Sequence, residues 1–571
     1  MLPTAPVPAE PGRRSPAALA GAVAVVVAVR LWATRRATFP VIVADEFVYL
    51  SMARLLAGGH GWNLGRAATY GPVYSMLLAP WSALGFAPEV QYRAAIFTNV
   101  LIAAASFLVL EALVRRLTWL EGGWSAAVAL AGTLTPSLVI LAGYAWSDPL
   151  AVFAFLVLAY AAVLLVEGPS TRSAAGAAAA AVFAYAVHGR FAPAALVVLV
   201  TLGVLTWRRS LARAPALAAG AGLVVGVLAA SVASGAIYGQ LYEPGGQVRQ
   251  TTGELGRALR LWPLLLSASG QLWYLLITTA GIAGFGLFAL GRACLPTSSA
   301  DRAGGTDGPL TGAGTLRGGP GAWVVAALVV VGVACSAGFM ADRTRPDQLV
   351  YGRYNDAVVG LLIALGVARL AAPLPIRRRA VEAAVVAGAA LATVALIRSV
   401  RGELLGQPYN GITIRSLLAY GPGGTGRTLF ATAAGLVATA SVVLVSVAAR
   451  SRPAVIVAFV VALAALGTYR GVLPTRGERM GDSRAAEQLT ELVGPQDRVA
   501  YLVGPAGQVQ GFYRYPFYAP DLRLYRTELP VWEQGVPFVM APTGLVALPA
   551  AGYVAIWTDP VARVSLWQAP G

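Results

Sequence analysis

The stretch VIVADEFVYLSMARLLAGGHGWNLGRAATYGPVYSMLLAP, residues 41–80, decides how the rest of the chain reads. Two adjacent carboxylates, Asp45 and Glu46, follow directly on the first long apolar run. A helical pattern comes next (Phe47, Leu50, Ala53, Leu55), broken at Gly58-Gly59. A polar patch with His60, Trp62, Asn63 and Arg66 leads to a second apolar piece, Tyr70 to Pro80. That piece is too short to cross a bilayer, which takes about 20 apolar residues, and reads as interfacial or re-entrant. The chain therefore leaves the membrane, presents two acids and lies along the surface before re-entering. Ionisable groups at such a depth are costly, and are functional suspects by default.

Composition places the whole chain in the membrane. Its 571 residues are 57% hydrophobic and 12% charged, and the mean hydropathy is +0.67. A soluble domain carries about twice that charge. The net charge of +17 comes from arginine alone, since the chain contains no lysine. Arginines at span ends facing anionic lipid account for this charge. No basic run is interleaved with aromatics on a soluble region, so nucleic acid is not an expected partner. The two cysteines, Cys294 and Cys335, fall in a loop and in an apolar span, which disfavours a disulfide. The two histidines, His60 and His188, match no zinc spacing, and no metal ligand is assigned. Arg13-Arg14 before an apolar run imitates a targeting peptide, but Arg35-Arg36 follows with no small-residue cleavage site, so the run reads as a retained first span.

Apolar runs predict thirteen spans, near 17–34, 93–114, 124–142, 149–166, 174–188, 191–206, 214–235, 271–291, 322–340, 357–371, 380–397, 428–448 and 454–470. Residues 174–206 read either as one long helix or as two short ones around His188-Gly189-Arg190. Arg172 and the cluster Arg208-Arg209-Arg213 both look cytoplasmic, and two flanks on one side require an even number of crossings, which favours two. Arg115-Arg116, Arg292 with Arg302, Arg377-Arg378-Arg379 and Arg450-Arg452 mark further inner loops. An odd total puts the N-terminus inside and the C-terminus outside, with Arg30, Arg35 and Arg36 running against the rule. The expected division is a transmembrane domain over 1–471 with external loops 35–92, 236–270, 341–356 and 398–427, then an extracytoplasmic domain over 472–571. The loop 293–321 reads as a flexible linker, and its glycines follow no strand, which excludes a phosphate loop.

In 472–571 a helix over Ser483–Val493 is halted by Gly494-Pro495. Short β-like runs follow at Arg498–Val503, Leu522–Thr527, Tyr553–Trp557 and Val564–Gln568, predicting a small α/β domain. The aromatic cluster Phe512 to Tyr518 suits either sugar stacking or a core or membrane-contact patch, the second being the plainer reading.

Residues 41–80 also carry a resemblance. An Asp-Glu pair after the first span, a juxtamembrane helix (here residues 47–57) and a Tyr-x-Pro-x-Tyr segment (Tyr70-Gly71-Pro72-Val73-Tyr74) resemble the first external loop of GT-C membrane glycosyltransferases. The likeness is to the protein mannosyltransferase and lipid A aminoarabinose transferase branch. It implies a polytopic α-helical membrane protein that moves a sugar from a polyprenyl-phosphate donor to an extracytoplasmic glycan, lipid or protein acceptor. The residues suit that chemistry. Transfer with inversion needs a base for the acceptor hydroxyl, a role a buried carboxylate fills. It also needs a group for the departing phosphate, which the planar fork of arginine matches.

Asp45 is the expected base, with Glu46 as a neighbour that orients substrate or tunes the base. The plainer alternative is that the pair caps the juxtamembrane helix, whose N-terminus favours acids. Asp148, in Tyr144-Ala145-Trp146-Ser147-Asp148-Pro149, matches a second acid at an external turn of the class. There the class often has Ser-Glu, and the shorter Asp leaves its role open between metal or substrate contact and capping the next span. His188 with Arg190, and Arg353-Tyr354 in Tyr351-Gly352-Arg353-Tyr354-Asn355-Asp356, resemble the external arginine positions of the class. The resemblance implies donor contacts for these four and for Tyr70 and Tyr74. A structural pair between Arg353 and Asp148 is the alternative, since a buried arginine needs an acid or an anion. Some members of the class use a divalent cation and others do not, so a cation stays open here. The rival classes are a transporter or flippase of a lipid-linked sugar, which should show matching broken helices in two halves, and a non-catalytic assembly protein.

Overall fold

A computed structural model of the chain describes residues 16–40, 43–62, 64, 69–120, 123–242, 260–295, 316–341, 346–372, 375–401 and 403, and parts of 457–469. Of the C-terminal region it describes 480–494, 497–502, 509–519, 521–527, 535–560 and 563–570. The predicted span at 428–448, the external loop 398–427 with few exceptions, and the polar residues Asn63 and Arg66 lie outside the described residues. So do most of the linker 293–321 and the loop residues Glu243, Arg249, Glu254 and Arg257.

The membrane part runs α1 (Pro16–Thr34), α2 (Val43–Leu56), α3 (Val73–Ala83), α4 (Pro88–Leu117), α5 (Gly123–Thr133), α6 (Pro136–Leu141), α7 (Asp148–Glu167) and α8 (Thr171–Val187). A 3-10 turn (Gly189–Phe191) leads to α9 (Ala192–Trp207) and α10 (Arg213–Leu241). Then come α11 (Leu261–Thr278), α12 (Ile282–Cys294), α13 (Pro320–Met340), the short α14 (Pro346–Leu349), α15 (Asp356–Ala371) and α16 (Ile376–Arg401). Among the described residues eight helices are long and apolar enough to cross a membrane, which makes this a multi-pass membrane protein. The ambiguous region 174–206 is two helices, because His188 adopts an extended backbone at φ −156° and ends α8.

Two expected spans are divided. The run 124–142 breaks at Leu134-Thr135, where Pro136 opens α6 and the residue before a proline avoids helix. The run 271–291 breaks at Thr279-Ala280-Gly281, with both Ala280 and Gly281 at positive φ (49° and 82°). Cys294 ends α12 and so is helical, contrary to the loop expected for it.

The C-terminal region forms a five-stranded mixed sheet, order β2-β1-β3-β5-β4, from β1 (Arg498–Leu502), β2 (Arg523–Thr527), β3 (Phe538–Pro542), β4 (Val554–Asp559) and β5 (Val564–Gln568). β1 pairs in parallel with β2 and β3, and β5 pairs antiparallel with β3 and β4. The helices here are α17 (Met480–Leu492), α18 (Val509–Tyr518) and α19 (Ala547–Ala550). The predicted helix and four predicted strands are present; β3 and α18 are additional. Membrane helices and sheet share one continuous apolar core, joined where α18 packs on α2.

Candidate active site

Four segments meet at one end of the helix bundle: the first turn of α2, the turn 142–148 between α6 and α7, and the segments His188–Arg190 and Tyr351–Asp356. Asp45 and Glu46 sit in the first turn of α2, which begins at Val43, four residues before the expected juxtamembrane helix. Close approach at two glycines brings the segments together. A Cβ on Gly71 would collide with the Ala186 and Val187 carbonyls, so the Tyr70–Pro72 segment can press on the end of α8 only without a side chain there. A Cβ on Gly352 would overlap the Tyr274 ring, and this seats the neighbouring Arg353 against α11.

Arg353 is the hub. Its Nε donates to Asp148 Oδ2 at 2.7 Å, and its Nη1 donates to Asp45 Oδ2. The guanidinium lies 3.9 Å over the Trp146 ring, a cation–π contact strengthened by burial. Burial alone would favour losing its proton. Asp148 and Asp45 outweigh that and hold the Arg353 guanidinium well above its ordinary pKa, hence charged. Arg190 shares Asp148, its Nη1 lying 3.8 Å from Oδ1, and stacks 4.8 Å over Tyr354. Nε and Nη1 of this buried arginine make no hydrogen bond. Its Nε–H is therefore held in place without an acceptor, while its Nη1 faces the Asp148 carboxylate beyond hydrogen-bond distance.

His188 accepts the Arg190 backbone N–H on Nδ1 at 3.3 Å, and its ring lies between those of Tyr70 (6.1 Å) and Tyr354 (5.7 Å). Desolvation, with the charges of Arg190 and Arg353, pushes the imidazole well below its ordinary value, so it is neutral. Burial, then the nearby Asp45, pushes the Tyr70 phenol well above its ordinary range, so it keeps its proton as a donor.

Asp45, Asp148, His188, Arg190, Arg353, Tyr354 and Tyr70 thus come together. Glu46 and Tyr74 do not share their open face. Glu46 is fully buried and accepts from Tyr92 Oη at 2.5 Å and from the Ala145 backbone N–H at 2.8 Å. Tyr74 is fully buried and donates to Asn99 Oδ1 at 2.9 Å, against the substrate contact expected of it. Asn99 in turn donates to the carbonyls of Ala142 (3.3 Å) and Tyr144 (2.7 Å). Ser147 Oγ meets Tyr49 Oη at 2.5 Å, and the Trp146 indole donates to Leu141 O at 2.9 Å. Residues 142 and 144–147 of the turn are thereby held from α2, α4 or α6, and Asp148 by the two arginines. Ser147 occupies the N-cap of α7 without a side-chain cap bond and Asp148 turns to the arginines, so the capping role considered for Asp148 is not made. Pro149 does occupy the first turn.

Sequence reading passed over Tyr49, Tyr92, Asn99, Trp146 and Asp356. Asp356 is buried at the start of α15, with Oδ1 lacking a hydrogen bond, and feels the charges of Arg190, Arg353 and Asp148. Asn99 carried a usable signal, as a polar side chain inside a predicted span. The set does not fit a divalent cation. Among the described residues no three of His, Cys, Asp or Glu gather, and the two carboxylates that would serve, Asp45 and Asp148, hold Arg353 instead.

A groove of about 1010 Å3 runs along α9 and α13. Pro193, Leu196, Val200 and Val204 line one wall, Trp323, Ala327 and Val331 the other, and Arg208 lies at the far end. Pro193, at one end of its α9 wall, follows Arg190 by three residues in the chain.

No family model and no curated protein sequence matches the chain. Among solved structures it is similar to ArnT from Cupriavidus metallidurans in the apo state, with 16% identity and a TM-score of 0.55 over 96% of this chain and 97% of that one. The same enzyme bound to undecaprenyl phosphate aligns at TM-score 0.56, with the same identity and coverage. The arabinosyltransferase EmbB from Mycobacterium smegmatis aligns at TM-score 0.44 over 79% of this chain and 41% of that one, with 17% identity. At such identity the ArnT likeness establishes a shared fold, the GT-C fold that residues 41–80 resemble.

Proposed function

We propose that the chain is a membrane glycosyltransferase that takes a sugar from a polyprenyl-phosphate donor and delivers it to an acceptor hydroxyl of a glycan, lipid or protein outside the cytoplasm. The observation that carries this reading is the buried guanidinium of Arg190, with its Nε–H lacking an acceptor and its Nη1 braced by Asp148, beside the carboxylate of Asp45. A phosphate oxygen is a natural acceptor for such a buried, charged N–H. The ArnT structure of the same fold holds undecaprenyl phosphate, and the apolar groove along α9 and α13 suits an isoprenoid chain.

In this mechanism the acceptor oxygen attacks the anomeric carbon as the bond from that carbon to the phosphate oxygen breaks. Asp45, 18% exposed and so open to the acceptor, receives the hydroxyl proton. Arg190 takes the growing charge on the departing phosphate, and the Tyr70 phenol is a further donor within the site. Arg353 is committed to Asp45 and Asp148, so its share shifts from gripping phosphate to aiming the base. His188, neutral, fixes the Arg190 backbone. Glu46 braces the 142–148 turn. Termini on opposite sides, with the sheet domain outside, complete the proposal.

Purified protein in vesicles, given radiolabelled polyprenyl-phosphate sugars, should release free polyprenyl phosphate in step with labelled acceptor. Passage of intact donor across the bilayer without bond cleavage would instead identify a flippase.

A further inference from the structure

The aromatic run 512–518 has no part in the mechanism above, yet it touches the base-bearing helix. On α18, Phe512 and Tyr515 face their own domain: Phe512 lies 5.6 Å from the Tyr501 ring, and Tyr515 donates to Asp559 at 2.7 Å. Tyr513 and Phe517, four residues apart and so on one helix face, point to the membrane domain. The Tyr513 ring meets Phe47 edge-on at 5.1 Å, and the Phe517 ring meets Tyr92 edge-on at 6.2 Å. These two targets flank one residue. Phe47 is the chain neighbour of Glu46, and Tyr92 donates to the Glu46 carboxylate. The other face of Phe47 is closed by Trp62, stacked at 4.4 Å with 12° between planes. The far end of α2 is tied as well, by Arg54 to Asp521 at 3.0 Å. That pair is solvent-exposed and contributes little alone.

We propose that the C-terminal domain positions α2, with Tyr513 and Phe517 as positioning residues that act through Phe47, Tyr92 and Glu46 on Asp45 and the 142–148 turn. This rests on the reading of α2 as carrier of the base. Edge-to-face ring pairs have a preferred geometry, so they fix orientation as well as burying area. Loss of an ångström in the placement of a catalytic group costs about 10²-fold in rate. These ring contacts are to Phe47 and Tyr92 and not to Asp45, Asp148, Arg190 or Arg353, so donor binding should be spared.

The test uses the full-length protein carrying Tyr513→Ala and Phe517→Ala together, read by hydrogen–deuterium exchange and by sugar transfer. Amides of residues 43–56 should exchange faster while the sheet strands keep their protection. kcat should fall at least about tenfold with the donor KM within about twofold. Tyr513→Phe, which keeps the ring edge, should perturb exchange and kcat far less than the double alanine variant. Unchanged exchange in α2, or a loss confined to donor KM, overturns the proposal. Should the sheet lose protection in the double variant, Phe47→Leu removes the same contact from the membrane side with the domain intact, and must itself speed α2 exchange. Exchange reports on α2 whatever reaction the protein performs, so absent transfer in the wild type refutes the glycosyltransferase reading and leaves this result standing.

Discussion

Asp45→Asn separates chemistry from architecture with one atom changed. The carboxylate is 18% exposed and receives Arg353 Nη1. Asn keeps the shape and an oxygen that accepts the same N–H, while Arg353 retains Asp148 at 2.7 Å and its place over Trp146. A hydrogen bond between two charges becomes one from the cation to a neutral amide, a loss of about 1–1.5 kcal/mol. Asn also serves as well as Asp near a helix N-terminus, so α2 is not weakened there. The variant should therefore fold, insert and bind polyprenyl phosphate. Removing a positioned base costs about 10²–10⁴ in rate, roughly 3–5 kcal/mol in the barrier. The catalytic loss should exceed the structural one severalfold. Transfer from labelled donor, donor affinity by calorimetry and the thermal midpoint in detergent give the three readings on one preparation. Glu46→Gln should be milder, because the Gln carbonyl can still accept from Tyr92 and Ala145. Wild-type turnover in folded Asp45→Asn protein would refute the assignment and pass the role to Asp148.

Arg190→Lys keeps the charge but loses the fork, and should weaken polyprenyl-phosphate binding about 10- to 100-fold, as expected for losing one charged hydrogen bond; native mass spectrometry or calorimetry measures this, and equal affinity would exclude the role. Asn99→Ala removes the partner of Tyr74 Oη and the Asn99 bonds to the Ala142 and Tyr144 carbonyls, of which Tyr144 O keeps the Trp146 N–H. It should lower the thermal midpoint by the equivalent of about 1–3 kcal/mol and reduce transfer with it, whereas a peripheral residue would change neither. His188, depressed below its ordinary 6.5 in the folded protein, makes the unfolded chain bind more protons just below that pH. Stability should hold above about 6.5 and decline as pH falls through it, and His188→Gln should flatten that part of the thermal profile.

Much of the site was legible because its charges stand in an apolar chain, where each must have a reason. Asp45, Asp148, Arg190 and Arg353 were visible on that ground, and the structure gathers them. Tyr74 misled because Tyr-x-Pro-x-Tyr does not say which ring faces inward. Pro72 starts α3 at Val73, and this carries Tyr74 onto the buried helix face while Tyr70 stays in the loop. Glu46 misled for a similar reason, since adjacent helix residues point in directions about 100° apart and cannot share a face. β3 went unseen because Phe538–Pro542 is central to its sheet and buried in the middle, so it lacks the alternation of a half-exposed strand. The aromatic helix α18 was hidden by Pro516, which lies inside it.

The break in the span 123–141 has a consequence for both site and orientation. Mean hydropathy runs on through Leu134-Thr135, yet α5 ends at Thr133 and its last carbonyls need donors. Arg30 of α1, buried, supplies one, donating Nη2 to Thr133 O at 2.9 Å, while its Nη1 donates to Leu138 O of α6 at 2.6 Å. A cation at a helix C-terminus is favourable on its own account. Arg30 is thus placed by helix ends and not by the membrane potential, and it drops out of the charge count that ran against an inside N-terminus. The objection shrinks to Arg35 and Arg36; Arg35 folds back to cap Trp32 O at 2.6 Å and cover the Trp32 ring at 4.7 Å. The same break lets α6 end early enough for residues 142–148 to turn across the bundle. That turn carries Trp146 under Arg353 and aims Asp148 at both arginines. A straight span would have carried Asp148 past them.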